Sequence, residues 1–142
     1  MAANSRYITV QTSVSKPVSQ VWKYWTDPQH IVQWNAASEE WHTPHAENDV
    51  SVGGKFTFRM EAIDGSAGFD LSGTYVEVHP LSKLSYALDD GRKVFVQFVA
   101  HDGVTTITET FEAEDINSAE MQKTGWQAII DNFKRHSEAQ SN

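Results

Sequence analysis

A single carboxylate interrupts an apolar series in the stretch TTITETFEAE, residues 105–114. If the stretch is a strand, alternate side chains point to opposite faces, so Ile107, Glu109 and Phe111 share one face. The two apolar neighbours predict that this face turns towards the core. A buried carboxylate is costly unless it becomes protonated or finds a partner. Glu109 is therefore the first candidate for binding a ligand hydroxyl or for acid–base catalysis.

Structural interpretations of Glu109 compete with this functional one. A β-bulge or a position at the end of the strand would return the carboxylate to water, and a salt bridge would satisfy it inside the protein. Asp70 is a second, weaker candidate for an inward acid, because Gly73 makes the alternation of its strand ambiguous. The sequence leaves these alternatives open, and catalysis by Glu109 with Tyr86 as a polar partner is one of them.

Large apolar side chains at strand and helix spacing are the candidate walls of a ligand pocket around Glu109. Aromatic rings bury large areas and methionine fills irregular gaps, so both suit a pocket wall as well as an ordinary core. Tyr86 lies in phase with Leu84 and Leu88, which directs its ring inward. Besides Glu109, the predicted ligand-binding residues are Trp25, Trp34, Phe56, Phe58, Met60, Tyr86, Phe98, Met121, Trp126 and Ile129. Tyr75 belongs to the same aromatic set but is not included among them.

Other sequence patterns that carry chemistry are missing. The 142 residues include no cysteine, which excludes disulfides, thiolate catalysis and zinc–thiolate sites. No GxSxG elbow, phosphate-binding GxxxxGKS/T loop or GxGxxG turn occurs. His42 and His45 stand among acidic residues, but a strand would send these two positions to opposite faces. We therefore expect no metal site and no cofactor.

Periodicity divides the chain into one strand, two short helices, about six further strands and one long helix. Residues 6–14 alternate as a strand, and Ser15 offers an N-cap for a helix that begins near Pro17. Asp27 and Pro28 are typical of the cap and first residue of a second helix. Turn residues separate the remaining strands, predicted near 41–46, 55–63, 69–79, 84–88, 93–100 and 105–114.

The last predicted element is a helix of about 19 residues by its pattern. Asn117 is the expected N-cap, with Glu120 three residues further on. The apolar stripe of this helix consists of Met121, Gly125, Ile129 and Phe133. The order of elements predicts an α+β fold, in which one long helix packs on a curved antiparallel sheet of about seven strands. One helix need not fill that concave face, so we expect a cavity for an apolar ligand.

Length and charge limit the classes of function. The chain of 142 residues, 39% of them hydrophobic, fits one domain over residues 1–142. Its 11 Lys and Arg against 19 Asp and Glu give a formal net charge of −8, which repels phosphate backbones and anionic membranes. We therefore expect no nucleic-acid partner. No stretch is long enough to span a bilayer and the first residues lack an apolar secretory segment, so the predicted location is cytoplasmic.

Five stretches, in this order and spacing, resemble the family of homologues of the heat-shock-protein-90 ATPase activator, within the START-like, birch-pollen-allergen-like (SRPBCC) superfamily. They are PVSQVWKYWTDPQHIVQW, VGGKFTFRME, SGTYVEVHPLSKLSY, TTITETFEAE and GWQAIIDNFKRHSE. The resemblance implies the helix-grip fold, a seven-stranded antiparallel sheet wrapped around a C-terminal helix, often with a hydrophobic cavity. It implies no single function, because branches of the superfamily carry lipids, bind hormones, or act as cyclases and dehydratases.

Three functions follow as expectations. The preferred one is a binding module that holds a small hydrophobic or lipid-like ligand between the C-terminal helix and the sheet. The second, implied by the resemblance, is an interaction protein that acts on a ninety-kilodalton chaperone. The third is an enzyme of the cyclase or dehydratase type that uses Glu109 with Tyr86 or another polar wall residue. None of the three requires stable insertion into a membrane.

Overall fold

A computed structural model describes residues 6–141, which form seven strands and three helices. The strands are β1 (Tyr7–Val14), β2 (Trp41–Asn48), β3 (Lys55–Ala62), β4 (Gly68–His79), β5 (Lys83–Leu88), β6 (Lys93–His101) and β7 (Val104–Glu112). The helices are α1 (Val18–Thr26), α2 (Pro28–Trp34) and α3 (Ala119–Glu138). The predicted order of elements is confirmed, including the two short helices after the first strand.

All seven strands belong to one antiparallel sheet, in the order β1-β7-β6-β5-β4-β3-β2. Strands that follow one another from β2 to β7 are neighbours, and β1 pairs with β7 at the other edge. The sheet is curled, and the long C-terminal helix α3 packs on it, chiefly against β1. This architecture is the α+β helix-grip fold that the sequence predicts.

The two faces of β7 differ as the alternation of its sequence predicts. Its buried residues are Thr105, Ile107, Glu109 and Phe111. The intervening threonines are only half-buried and bond to polar side chains of β1. The hydroxyls of Thr9 and Thr110 lie 3.0 Å apart, and the Gln11 amide donates to Thr108 at 2.9 Å. Cross-strand polar pairs of this kind support the register of the two strands, which fixes Glu109 on the concave face.

The core lies between the concave face of the sheet and the helices. Ile130 and Phe133 of α3 are fully buried in the same cluster as Val10, Ile107 and Phe111. Burying a side chain of this size contributes about 1.5–3 kcal/mol. Within residues 6–141, no helix is both long enough and apolar enough to cross a membrane.

The helix starts differ in part from the prediction. Asp27 caps α2, because its carboxylate accepts from the backbone N–H of Gln29 at 2.9 Å, as predicted. Ser15 is not a cap. Pro17 takes the N-cap position of α1, and the backbone N–H of Ser15 donates to Glu138 at the end of α3.

The predicted cap of α3 is wrong by one residue. Ser118 is the N-cap, and its hydroxyl accepts from the backbone N–H of Met121 at 3.1 Å. Asn117 does not cap the helix, and its side-chain amide donates instead to the carboxylate of Glu114, 3.2 Å away, in the preceding loop. Both residue types favour an N-cap, so the loop contact decides between them.

Candidate ligand pocket

A cavity lies between the helices and the concave face of the sheet. Its volume is about 80 Å³. A single water molecule needs roughly 10–15 Å³, so the cavity exceeds one water several-fold. The lining comes from all three helices and from four strands: Trp25, Trp34, Asn35, Phe56, Phe58, Leu71, Tyr75, Tyr86, Glu109, Trp126 and Ile129.

Four aromatic rings form the wall on the sheet side. The ring centroid of Phe56 lies 5.0 Å from that of Phe58, 5.5 Å from Tyr75 and 4.9 Å from Tyr86. Gly73 of β4 stands opposite Phe56 in the ladder. A Cβ at this glycine would lie 2.9 Å from the Phe56 ring and 2.5 Å from a backbone carbonyl of β5. The missing side chain is what lets the Phe56 ring lie against the sheet.

Three indoles form the wall on the helix side. The Trp25 and Trp34 rings lie 5.0 Å apart, and the Trp34 indole N–H donates to the backbone carbonyl of Tyr24 at 2.9 Å. Trp126 of α3 stacks on Phe111 of β7, with centroids 3.9 Å apart and planes 8° from parallel. These contacts hold the three rings in place.

Glu109 contributes the one carboxyl group of the lining. It sits in an uninterrupted ladder between Val10 of β1 and Val96 of β6, and its exposed fraction is 5%. The interpretations as a bulge or a strand end are therefore wrong. No hydrogen bond or ion pair joins its carboxyl group to any residue of the described range 6–141, so the salt-bridge interpretation is also wrong.

Burial alone raises the pKa of Glu109 to about 8, because the charged form loses its hydration. The carboxyl group is therefore mostly protonated at neutral pH and can both donate and accept a hydrogen bond. A pKa near the working pH also suits a general acid, so the catalytic interpretation stays a prediction.

Tyr86 faces the same cavity. Burial raises the pKa of Tyr86 well above its ordinary value, and the nearby carboxyl of Glu109 and hydroxyl of Tyr75 raise it further. Its hydroxyl has no hydrogen-bond partner among the described residues. The Tyr75 hydroxyl, by contrast, donates to Asn48 Oδ1 at 2.7 Å. Glu109 and Tyr86 are therefore the two ionisable groups of the lining that have no partner among the described residues.

The structure brings eight of the eleven predicted pocket residues to the cavity: Trp25, Trp34, Phe56, Phe58, Tyr86, Glu109, Trp126 and Ile129. The placement of the other three is wrong. Met60 shares the inward face of β3 but lies further along, towards the hairpin that leads to β4. Phe98 is buried against Trp25, at 5.8 Å between centroids. Met121 is 62% exposed on the first turn of α3. A binding role for the other eight stays a prediction.

Three lining residues were missed by the sequence analysis. Leu71 and Tyr75 share the inward face of β4 with Gly73, and the alternation of this strand could have found them. Asn35 ends α2 and is buried, and its backbone carbonyl accepts from the Thr43 hydroxyl at 2.6 Å. The sequence carries no signal for that position. The same alternation places Asp70 on the outer face, where it is exposed and forms an ion pair with Arg59 at 3.6 Å. The prediction that Asp70 is a second inward acid is therefore wrong.

The two histidines considered for a metal site have separate acidic neighbours. His42 Nε2 lies 3.9 Å from Glu61, and His45 Nε2 lies 3.0 Å from Glu47. In the part of the chain that the structure describes, no three His, Cys, Asp or Glu side chains are grouped so that they could hold a metal ion.

Comparisons with known proteins agree with this fold. The AHSA1-like protein of Aeromonas hydrophila is 46% identical, with a TM-score of 0.89 over 94% of this chain and 93% of that one. A protein of Cytophaga hutchinsonii is 45% identical, with a TM-score of 0.81 over 92% and 91%. A Nitrosomonas europaea protein at 19% identity and TM-score 0.79, over 93% and 94%, shares the fold alone. The comparison with curated proteins found no match.

The family assignment rests on the sequence as well. The family model described as "Activator of Hsp90 ATPase homolog 1-like protein" matches residues 15–138, from the loop before α1 to the end of α3. This range includes every residue that lines the cavity. The chain belongs to the family of activator of Hsp90 ATPase homolog 1-like proteins.

Proposed function

We propose that the protein is a binding module that holds one small, mostly apolar molecule in the cavity. The carboxyl group of Glu109 and the hydroxyl of Tyr86 orient the ligand through hydrogen bonds. The aromatic walls supply most of the contact area. Ligand pockets in proteins commonly have this composition, with apolar walls and a few polar groups that fix orientation.

The observation that carries the proposal is the unpaired carboxyl group of Glu109 inside an aromatic-lined cavity. A buried polar group without a partner is destabilising by about 1–3 kcal/mol. The side chain is held there by a regular ladder, between two strands that are themselves well packed. A hydrogen-bonding ligand removes this penalty, and no residue of the described range does so.

The volume of the cavity limits the size of the ligand. About 80 Å³ is roughly half of the 150 Å³ that encloses a benzene molecule in an engineered apolar cavity, so this cavity, which is partly open to solvent, encloses only part of a small ring. A single six-membered ring meets this limit when its polar substituent lies inside, against Glu109, and the far side of the ring lies in the opening. A long acyl chain does not fit without displacement of α3 or of the hairpin between β3 and β4. We therefore expect a small hydrophobic ligand and not a lipid with a long chain.

Titration with cyclohexanol tests the proposal. We expect the alcohol to raise the unfolding temperature and to shift the indole N–H resonances of Trp34 and Trp126, while that of Trp41 on β2 stays unchanged. At a hundredfold excess over the dissociation constant, the free energy of unfolding rises by about 2.7 kcal/mol. A similar panel of small cyclic alcohols, ketones and amines covers other shapes and polar groups.

Two variants of α3 make the test specific for the cavity. Ile129→Phe replaces an aliphatic side chain of the lining by a larger aromatic ring that fills the cavity. We therefore expect cyclohexanol no longer to raise the unfolding temperature or to shift the indole resonances. Met121→Phe adds a ring on the same helix at a position that is 62% exposed, and we expect it to bind as the unmodified protein does. Equal responses of the two variants, or no response of the unmodified protein to any member of the panel, would overturn the proposal.

A chaperone is the second candidate partner, because the family description names activation of the Hsp90 ATPase. Such a partner fits the cytoplasmic location predicted from the sequence. The test is the ATPase rate of the ninety-kilodalton chaperone of the same organism, measured with and without this chain. An unchanged rate at saturating chain concentration removes this candidate and leaves the binding module untouched.

A further inference from the structure

The charge of the cavity selects among small ligands. Its eleven lining residues include one carboxyl group and no Lys, Arg or His, from whichever helix or strand they come. The other titratable groups that face the space are the hydroxyls of Tyr75 and Tyr86. An anionic ligand would bring a negative charge into a space that holds no cation to balance it, and Glu109 could not ionise beside it; an unpaired charge is strongly unfavourable away from water.

The aromatic walls also favour a cationic ligand over an anionic one. Seven of the eleven lining residues carry an aromatic ring: Trp25, Trp34, Phe56, Phe58, Tyr75, Tyr86 and Trp126. The face of an aromatic ring is electron-rich and attracts cations, and rings that surround a cation are a recurring way to bind ammonium groups. The rings of this cavity come from two opposite walls, one on the sheet and one on the helices.

The carboxyl group needs more than one donor. An ionised carboxylate has about four acceptor positions on its two oxygens, and none of these is filled by residues 6–141. An alcohol brings one O–H donor, whereas a primary ammonium group brings three N–H donors and the opposite charge. Hydrogen bonds between charged groups are shorter and stronger than neutral ones.

We propose that the ligand of this cavity is a small organic amine, bound as its ammonium ion with Glu109 as the counter-ion and the aromatic rings around its apolar part. This inference rests on the proposed binding function and names the ligand class for it. Binding converts the carboxyl group of Glu109 to carboxylate, so its proton leaves to solvent as the ammonium ion enters. A neutral alcohol in the same place leaves that proton on Glu109.

Three probes of similar size separate the possibilities: cyclohexylamine, cyclohexanol and cyclopentanecarboxylate. At pH 7 we expect the amine to bind at least about tenfold more tightly than the alcohol, because it forms charged hydrogen bonds. The carboxylate should not bind. In Glu109→Gln, which keeps the size of the side chain, the affinity for the amine falls at least about tenfold, while the affinity for the alcohol changes much less.

Calorimetry of the unmodified protein supplies a readout that needs no variant. The binding heat of the amine, measured at pH 7 in phosphate and in Tris, should show release of nearly one proton for each ligand bound, and the alcohol should show none. If the alcohol binds as tightly as the amine, or if no proton is released with the amine, the amine inference fails and the binding module stands. If none of the three probes binds, both proposals fail.

Discussion

The concave face of the sheet has two halves with the same binary pattern and opposite packing. In the closed half, Val10, Ile107 and Phe111 belong to one buried cluster with Ile130 and Phe133 of α3, and all five are almost inaccessible. In the open half, the inward side chains of β3, β4 and β5 form an aromatic wall, and the cavity separates this wall from Trp126 and Ile129 of α3. The alternation of a strand predicts which of its side chains point inward. The position of α3 decides which of these inward side chains pack against the helix.

Glu109 lies at the boundary between the halves. Its backbone belongs to the closed half, since it pairs with Val10 and Val96, and its side chain lines the cavity of the open half. A closed half without space would expel a carboxyl group, and an open half in contact with bulk water would ionise it. The intermediate position keeps the group buried and mostly neutral, which a binding site can use.

The largest expected effect is on the pH dependence of stability, and it tests that boundary position. The pKa of Glu109 rises from an ordinary 4.5 to about 8 in the folded protein, so the folded state holds its proton more tightly than the unfolded state. The stabilisation that this tighter proton binding gives the folded state is fully present below pH 4.5 and is lost as the pH rises to about 8. A shift of this size corresponds to roughly 5 kcal/mol.

Glu109→Gln removes this titration. We expect the variant to be more stable than the unmodified protein above pH 8, by a few kcal/mol, and the difference to shrink as the pH falls towards 4.5. Urea unfolding at pH 5, 7 and 9 measures it, and Glu39→Gln, in an exposed loop, is the control. A constant difference across this range would mean that Glu109 is solvated in the folded state.

The second effect compares ring removal in the two halves. Phe133 is fully buried and touches Trp25 and Trp34 at centroid distances of 4.8 and 4.9 Å, so Phe133→Ala should destabilise the protein by about 3–5 kcal/mol. Phe58 of the open half is only half-buried and already borders a cavity. Phe58→Ala should therefore destabilise the protein clearly less than Phe133→Ala does. Midpoints of denaturant unfolding decide the matter, and equal costs would show that the open half is packed as tightly as the closed one.

A third effect concerns the glycine behind the aromatic wall. Gly73→Ala places a Cβ 2.9 Å from the Phe56 ring and 2.5 Å from a carbonyl of β5, so the ring or the strand has to move. Overpacking of this kind typically costs 1–3 kcal/mol. We also expect weaker binding of cyclohexanol, because the displaced Phe56 ring enters the cavity. Unchanged stability together with unchanged binding would show that the Phe56 ring moves away from the new Cβ at no cost and without entering the cavity.

The sequence predicts much of this arrangement because strand alternation is a local rule. It placed Glu109 on the inner face, and the order of elements predicted a helix-grip fold with a cavity. It placed Met121 in the same pocket by helical spacing, and this is wrong because the side chain lies on the outer side of the first turn of α3, where it is 62% exposed, whereas that of the next residue, Gln122, is buried. Which half of the sheet the helix covers depends on long-range packing, so neither Asn35 as a lining residue nor the size of the cavity could be read from the pattern.

The smallest expected effect separates the stability of α3 from the shape of the cavity. Gly125 lies inside α3 next to Trp126, and a Cβ built there meets no atom within 4 Å. Gly125→Ala should stabilise the protein by about 0.5–1 kcal/mol, because alanine has the higher helix propensity and loses less backbone entropy on folding. Thermal unfolding measures this gain, and titration with cyclohexanol should give the same affinity as in the unmodified protein. If the cavity instead depends on a loosely held α3, the stabilised helix will bind cyclohexanol more weakly, and the open half will have to be described as a moving part of the molecule.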